Sequence, residues 1–134
     1  MNKAHLIVTL IFASVCPASF AQSTDPCVTL SNTFENNACA QQKVNAQDLT
    51  LNRAYQSLLQ QLASYDEPGE SEAGSRKRLI AAQRKWIDFR DADCKAKERI
   101  YKGGSIHTVI YLDCIREHTE QRIKDLNPML WQAG

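Results

Sequence analysis

Apolar residues that recur every three or four positions in three long stretches are the feature that most constrains the fold of this 134-residue chain. That spacing places them on one face of an α-helix. In the first stretch, about residues 31–64, the face is formed by Leu51, Tyr55, Leu58 and Leu62. No proline interrupts the three stretches and no run alternates between apolar and polar residues, so we expect an all-α fold.

Two further stretches predict two more helices. The second, about residues 75–101, has the stripe Leu79, Ala82, Trp86, Phe89, Ala96 and Ile100, which predicts that Trp86 and Phe89 lie in the core. The third, about residues 105–126, has the stripe Val109, Leu112, Thr119, Ile123 and Leu126. The turns at Pro68-Gly69 and Gly103-Gly104 are short, which makes neighbouring helices antiparallel. We therefore predict an antiparallel, up-down-up three-helix bundle.

The first helix is expected to be broken. Ser31 or Asn32 can cap its start. A helix of roughly 34 residues, rising about 1.5 Å per residue, would extend several turns past the second helix. We therefore expect a break or a kink near residues 45–48, which would allow the start of the helix to fold back as a separate short helix.

Residues 1–21 are typical of a signal peptide. Lys3 precedes an apolar run from Leu6 to Val15, and small residues precede a cleavage point after Ala21. The run is shorter than the ~20 residues of a transmembrane helix, and no later run is as long. We predict one exported domain, residues 22–134, periplasmic or secreted and without an integral membrane segment. A lipoprotein anchored through Cys16 is less favoured, because Val15 precedes it where a small residue is preferred.

The charge balance limits the kinds of partner. The chain has 16 basic and 15 acidic residues, and removal of Lys3 with the signal peptide makes them equal. A neutral chain lacks the excess of cations that dominates nucleic-acid affinity, and it lacks a polybasic membrane anchor. We expect neither nucleic acid nor a membrane surface as the partner.

Four cysteines remain in the exported chain: Cys27, Cys39, Cys94 and Cys114. An oxidising compartment favours two disulfides. If the second and third helices fold back at Gly104, residues equally far from it face each other, and Cys94 and Cys114 are each ten residues away. Cys94–Cys114 is therefore the preferred pair and leaves Cys27 with Cys39. Four cysteines allow three pairings, so the connectivity stays open.

The sequence indicates a binding protein rather than an enzyme. No C-x-x-C pair is present, and His107 and His118 lie three helical turns apart, about 16 Å, too far to share a metal. No nucleophile motif stands out and the carboxylates are scattered over helix surfaces. We expect no catalytic residue, no metal and no cofactor. Arg90, beside the apolar stripe, is better explained by a structural ion pair than by partner binding.

A set of short motifs gives the chain a family resemblance. They are Asn37-Ala38-Cys39-Ala40, Leu51-Asn52-Arg53-Ala54-Tyr55, Ala82-Gln83 to Trp86, Phe89-Arg90-Asp91 to Cys94, Gly103-Gly104-Ser105, and Cys114 to Thr119 with Arg122-Ile123. In this order the chain resembles the LprI-type lysozyme inhibitor family over nearly all of its exported part. The motif residues that define the scaffold, besides the cysteines, are Leu51, Asn52, Tyr55, Gln83, Trp86, Arg90 and Asp91.

The resemblance implies an exported protein that binds and inhibits lysozyme. Because the matching residues are mostly structural, a family member could keep them and bind something else. The alternative is an envelope protein-interaction module, such as an immunity or assembly factor, with a partner other than lysozyme. A small hydrolase would require a cleft with an oriented base.

Two segments are candidate partner-binding sites. A turn formed by Lys102, Gly103, Gly104, Ser105 and His107 could enter the substrate cleft of a lysozyme and offer donors to its two catalytic carboxylates. The acids Asp66, Glu67, Glu70 and Glu72 could steer a cationic lysozyme toward the inhibitor. Ordinary roles compete with both: a helix-hairpin turn for the first, and a solvated loop before a helix N-terminus for the second.

Overall fold

The computed structural model describes Cys27 and residues 32–65 and 74–131. Three α-helices are present in these residues: α1 (Thr33–Leu62), α2 (Ser75–Ile100) and α3 (His107–Asp125). A 3-10 turn, Pro128–Trp131, follows α3. The described residues contain no strand, and the all-α prediction is confirmed. The predicted signal peptide, Cys16 and the acidic residues 66–72 lie outside the described residues.

The first helix is continuous, so the predicted break at residues 45–48 and the separate short helix are wrong. The side chain of Asn32 caps its start by accepting a hydrogen bond from the backbone N–H of Glu35 at 2.9 Å. The helix contains neither glycine nor proline, and Val44 and Leu51, one on each side of the expected break, are both buried. The overhang is also smaller than expected, because α1 has 30 residues and α2 has 26.

Two apolar clusters set the direction of the helices. One, which we call the upper cluster, consists of Ala40, Val44, Cys94, Leu112, Cys114 and Ile115. The other, the lower cluster, consists of Leu51, Leu58, Leu59, Leu62, Leu79 and Leu126. The beginnings of α1 and α3 thus meet the end of α2, which is the predicted up-down-up arrangement. Helix α3 packs against both others, whereas α1 and α2 touch each other much less.

Both predicted disulfides are formed. Cys94–Cys114 joins α2 to α3 inside the upper cluster, and Cys27–Cys39 ties the segment before α1 to that helix. By restricting the unfolded chain, each stabilises the fold by about 3 kcal/mol in the chain-entropy account.

The inward face of α2 differs from the predicted apolar stripe. Phe89, predicted to be in the core, is 57% exposed, and Ala82, Ala96 and Ile100 are also exposed. Leu79 and Trp86 of the predicted stripe do face inward, but they are joined there by Gln83, Arg90 and Cys94. Two of these are polar and could not be recognised by hydropathy. The bond from Cys94 to Cys114 fixes this rotation of the helix, which leaves Phe89 at the exposed edge of the α2–α3 contact, where its ring meets that of His118.

A polar layer separates the two clusters. It consists of Asp48, Gln83, Arg90, Thr119 and Arg122. Arg90 donates from Nη1 to Oγ1 of Thr119 at 3.3 Å and approaches Oδ1 of Asp48 at 3.5 Å, while Arg122 donates from Nε to Oε1 of Gln83 at 2.9 Å. These bonds compensate the cost of placing polar groups between helices.

The guanidinium groups of the polar layer enclose Trp86. The guanidinium carbons of Arg90 and Arg122 lie 5.2 and 5.7 Å from its ring, within range of cation–π attraction. Burial lowers the pKa of Arg122, and the nearby Asp125 and Tyr55 partly oppose that shift. The tryptophan thus joins the lower cluster to the polar layer.

Replacing Leu58 by alanine tests the lower cluster. Leu58 is fully buried, so Leu58→Ala removes methyl groups from a closed core and is expected to lower the free energy of unfolding by about 2–5 kcal/mol in urea denaturation. The matched control is Leu49→Ala on the same helix, where the leucine is 59% exposed and the expected change is within about 0.5 kcal/mol. Equal losses for the two variants would contradict the assigned inward face of α1.

Candidate functional site

The turn between α2 and α3, residues 101–106, is an exposed connection that the structure describes throughout. All six residues are solvent-exposed. Backbone hydrogen bonds still hold it in a defined shape: the N–H of Tyr101 donates to the carbonyl of Glu98 at 2.9 Å, and that of Gly104 donates to the carbonyl of Tyr101 at 3.1 Å. An exposed segment with fixed backbone geometry is a suitable shape for insertion into a partner.

Glycine makes the path of this turn possible. Gly103 has φ of +100°, a conformation that L side chains rarely adopt, and it is the only described glycine with positive φ. No atom lies within 4 Å of where its Cβ would stand. The glycine is therefore required by the backbone and not by crowding within the protein, and the space beside it is open to a partner.

Apolar side chains flank the turn without covering it. Ile100 is 79% exposed, and Tyr101 and Ile106 are exposed as well. They lie at the end of the bundle next to the upper cluster, yet they add nothing to it. Exposed aliphatic and aromatic groups around a polar centre resemble the composition of protein-binding surfaces.

A shallow basic groove of 280 Å³ lies beside the turn. It is lined by Lys95, Glu98, Arg99, Lys102 and His107. Nδ1 of His107 lies 3.0 Å from Oε1 of Glu98, so this pair connects the end of α2 to the start of α3. Three basic side chains therefore face one carboxylate, which already has a partner. The surface favours an anionic group.

The turn brings together the residues proposed for it from sequence. Lys102 and His107 line the same groove, and Gly103, Gly104 and Ser105 form the exposed apex between them. The other proposed segment, Asp66, Glu67, Glu70 and Glu72, falls outside the described residues.

Residues of the family motifs line a second concavity that sequence reasoning did not anticipate. This groove of 340 Å³ lies between α1 and α2, where the two helices hardly touch. Its lining residues are Asp48, Leu51, Asn52, Tyr55, Ile80, Gln83, Arg84, Ile87 and Arg90. Sequence spacing could not reveal it, because it depends on how far α1 and α2 are held apart by α3. Arg90 and Gln83 line the groove and also belong to the polar layer. Asp91 forms an ion pair with Arg90, with 2.9 Å between its Oδ1 and Nε of the arginine.

Among the described residues, one group carries ligand types that metals use: Asp93, Cys94, Cys114 and His118. Both sulfurs are engaged in the disulfide.

None of the described helices combines the length and the hydropathy needed to cross a membrane.

Comparison with known proteins identifies one family. The family model described as "Lysozyme inhibitor LprI" matches residues 24–126, which includes all three helices, the four bonded cysteines and the α2–α3 turn. A relative, an uncharacterized protein of Rhizobium meliloti (strain 1021), is 28% identical over 99% of this chain and 99% of its own length. No solved structure matches the chain.

Substitution of Gly103 tests the geometry of the turn. Gly103→Ala places a Cβ on a left-handed residue and is expected to lower the free energy of unfolding by roughly 1–2 kcal/mol, measured by urea denaturation. The control is Gly104→Ala, whose Cβ would meet only the carbonyl oxygen of Tyr101 at an ordinary 3.4 Å and should change stability little. A larger loss at position 104 than at position 103 would refute the assigned conformation.

Proposed function

The chain belongs to the lysozyme inhibitor LprI family, and on that premise we propose that it binds a lysozyme and blocks the substrate cleft with the α2–α3 turn. The observation that carries this proposal is the exposed apex Gly103-Gly104, with a cation on one side and unburied apolar residues around it. The mechanism is occlusion, in which the inhibitor occupies the cleft and catalyses nothing.

The chemistry of the turn suits the interior of a lysozyme cleft. Hydrolysis of a glycosidic bond generally uses two carboxyl groups that flank the substrate. The ammonium group of Lys102, the hydroxyl of Ser105 and the backbone N–H groups of Gly103 and Ser105, which donate no backbone hydrogen bond within the turn, are donors for such carboxylates. Because Gly103 and Gly104 carry no side chain, the backbone of the turn can approach the catalytic carboxylates closely.

The apolar residues around the apex provide a second contribution. Interface energy is concentrated in a few central anchors, and surrounding contacts exclude water from them. Ile100, Tyr101 and Ile106 stand where they can bury their exposed surface against the rim of the cleft. Removal of water would also strengthen the attraction between Lys102 and a carboxylate.

The structure keeps the turn in place before any partner arrives. Cys94–Cys114 fastens α2 to α3, and the His107–Glu98 pair bridges the base of the turn. A preorganised loop loses little conformational entropy on binding, so more of the contact energy appears as affinity.

The acidic residues Asp66, Glu67, Glu70 and Glu72 lie in the sequence between α1 and α2. We assign them a role in steering a cationic lysozyme by long-range attraction. Replacing all four by Asn and Gln should lower the association rate at low salt and leave the dissociation rate unchanged, as followed by stopped-flow fluorescence. An unchanged association rate would contradict the steering role and favour the alternative that these acids have no part in binding.

Export is part of the proposal, since an inhibitor must meet its lysozyme outside the cytoplasm. Residues 1–21 act as a cleaved signal peptide and residues 22–134 form one exported domain, with lipid attachment at Cys16 as the less favoured alternative. The formation of two disulfides agrees with an oxidising compartment.

A different envelope partner is the second candidate. The groove between α1 and α2, lined by motif residues such as Asn52, Tyr55 and Arg90, favours it, because a groove away from the turn could hold a segment of another protein. In this case the chain is an interaction module, such as an immunity or assembly factor.

A lysis assay separates the two candidates and tests the turn. Purified, oxidised residues 22–134 are titrated against several lysozymes acting on bacterial walls, and stoichiometric protection is expected. Lys102→Glu should weaken inhibition by about 2 kcal/mol or more, roughly thirtyfold, because a carboxylate would then face the catalytic carboxylates.

The control is Lys85→Glu, the same charge reversal on the exposed surface of α2 away from the turn. It should inhibit like the unmodified protein. Equal effects of the two variants would exclude the turn as the binding element. Absence of protection and of binding with every lysozyme would favour the other envelope partner.

A further inference from the structure

A second chemical site is built around the Cys94–Cys114 disulfide. Asp93 and Cys94 lie on α2, and Cys114 and His118 lie one helical turn apart on α3. One ligand atom from each residue, the two sulfurs, a carboxylate oxygen and a ring nitrogen, lies within 4.8 Å of every other. None of these four residues belongs to the α2–α3 turn.

The set of donors is typical of zinc. Two thiolates, one imidazole and one carboxylate are ligands that Zn²⁺ uses in tetrahedral sites, with Zn–S distances of about 2.3 Å and Zn–N and Zn–O distances of about 2.0–2.2 Å. Nε2 of His118 already lies 2.9 Å from Oδ2 of Asp93, so both point into one small volume. That volume adjoins the two sulfurs.

The surroundings hold the imidazole and leave a path for an ion. The ring of Phe89 meets the ring of His118 edge to face, with 5.6 Å between the centroids. Both sulfur-bearing residues are buried, whereas Asp93 and His118 are partly exposed. A depression of 210 Å³ lined by Asp93, Lys97, Cys114, Glu117, His118 and Gln121 opens the cluster to solvent.

We propose that Asp93, Cys94, Cys114 and His118 form a zinc site in the chain whose cysteines are reduced, so that a metal ion and a disulfide are alternative cross-links between α2 and α3. The chain is synthesised with thiols and therefore passes through the form that can bind. Binding displaces one proton from each thiol, and His118 coordinates as the neutral imidazole. The two sulfurs then separate to the spacing that two Zn–S bonds require.

The second cysteine pair gives an internal comparison. Cys27 and Cys39 have no histidine or carboxylate among the described residues close enough to complete a set of three ligands. A reduced chain should therefore bind one zinc ion tightly, at α2 and α3.

The test uses purified protein reduced by a phosphine, which takes up the oxygen of water as the disulfide becomes two thiols. Zinc is titrated in competition with a chromophoric chelator, and Co²⁺ is used in parallel because thiolate ligation gives a charge-transfer band. We expect one zinc ion per chain, a thiolate–cobalt band, and no comparable binding by the oxidised protein.

Variants identify the ligands. The Cys27→Ser/Cys39→Ser double variant should bind zinc like the reduced unmodified chain, and Cys94→Ser/Cys114→Ser should not. Loss of a residue that only hydrogen-bonds to a metal ligand lowers metal affinity by roughly 10–100-fold. His118→Ala removes a ligand itself and should therefore lower the zinc affinity by more than that. The matched control, Gln121→Ala, alters the same depression without removing a ligand and should leave the affinity unchanged.

Circular dichroism covers the case in which reduction unfolds the chain. Zinc should then restore helical structure, because the binding free energy is also folding free energy. The proposal is overturned if His118→Ala binds as tightly as the unmodified chain, if the two double variants bind alike, or if zinc neither binds the reduced protein nor restores its helices.

Discussion

The contact of Arg90 with both neighbouring helices is the interaction on which the rest of the structure depends. Its side chain is only 12% exposed, so its charge must be met inside the bundle. Asp48 on α1 and Thr119 on α3 meet it, with Asp91 as a third partner. These contacts together stabilise the observed rotation and register of α2. The same rotation places Cys94 opposite Cys114, which holds the α2–α3 turn at the end of the bundle.

Much of this fold could be predicted from sequence because it depends on local periodicity and turn chemistry. The three helices followed from apolar spacing, and the disulfide of α2 and α3 followed from symmetry about Gly104. The inward face of α2 could not be predicted, because hydropathy assigns Phe89 to the core and Gln83 and Arg90 to the surface. Their polar atoms are satisfied by residues far along the chain, chiefly Thr119 and Arg122. The continuity of α1 could not be predicted, because the overhang depends on the exact ends of α1 and α2, which have 30 and 26 residues.

The candidate sites likewise divide into one that the sequence predicts and others that depend on how the helices pack. The exposed turn could be found from Gly103-Gly104, since two glycines between helices indicate a hairpin and leave the backbone accessible. The groove between α1 and α2 depends on the separation of the helices, which no spacing encodes. The proposed zinc ligands could not be found from spacing, because the neighbours of His118 are Asp93 on another helix and the two sulfurs of the disulfide.

In the proposed function, the hairpin of α2 and α3 presents a cationic turn with an apolar rim to the cleft of a lysozyme. Competition with an oligosaccharide of N-acetylglucosamine that occupies this cleft tests that claim most directly. The affinity of the oxidised protein for lysozyme is measured by isothermal titration calorimetry at increasing oligosaccharide concentration. Occlusion should make the apparent Kd rise linearly with the free oligosaccharide concentration, doubling when that concentration equals the oligosaccharide's own Kd, since both ligands need the same space. An unchanged Kd at saturating oligosaccharide would contradict occlusion and place the contact elsewhere on the lysozyme.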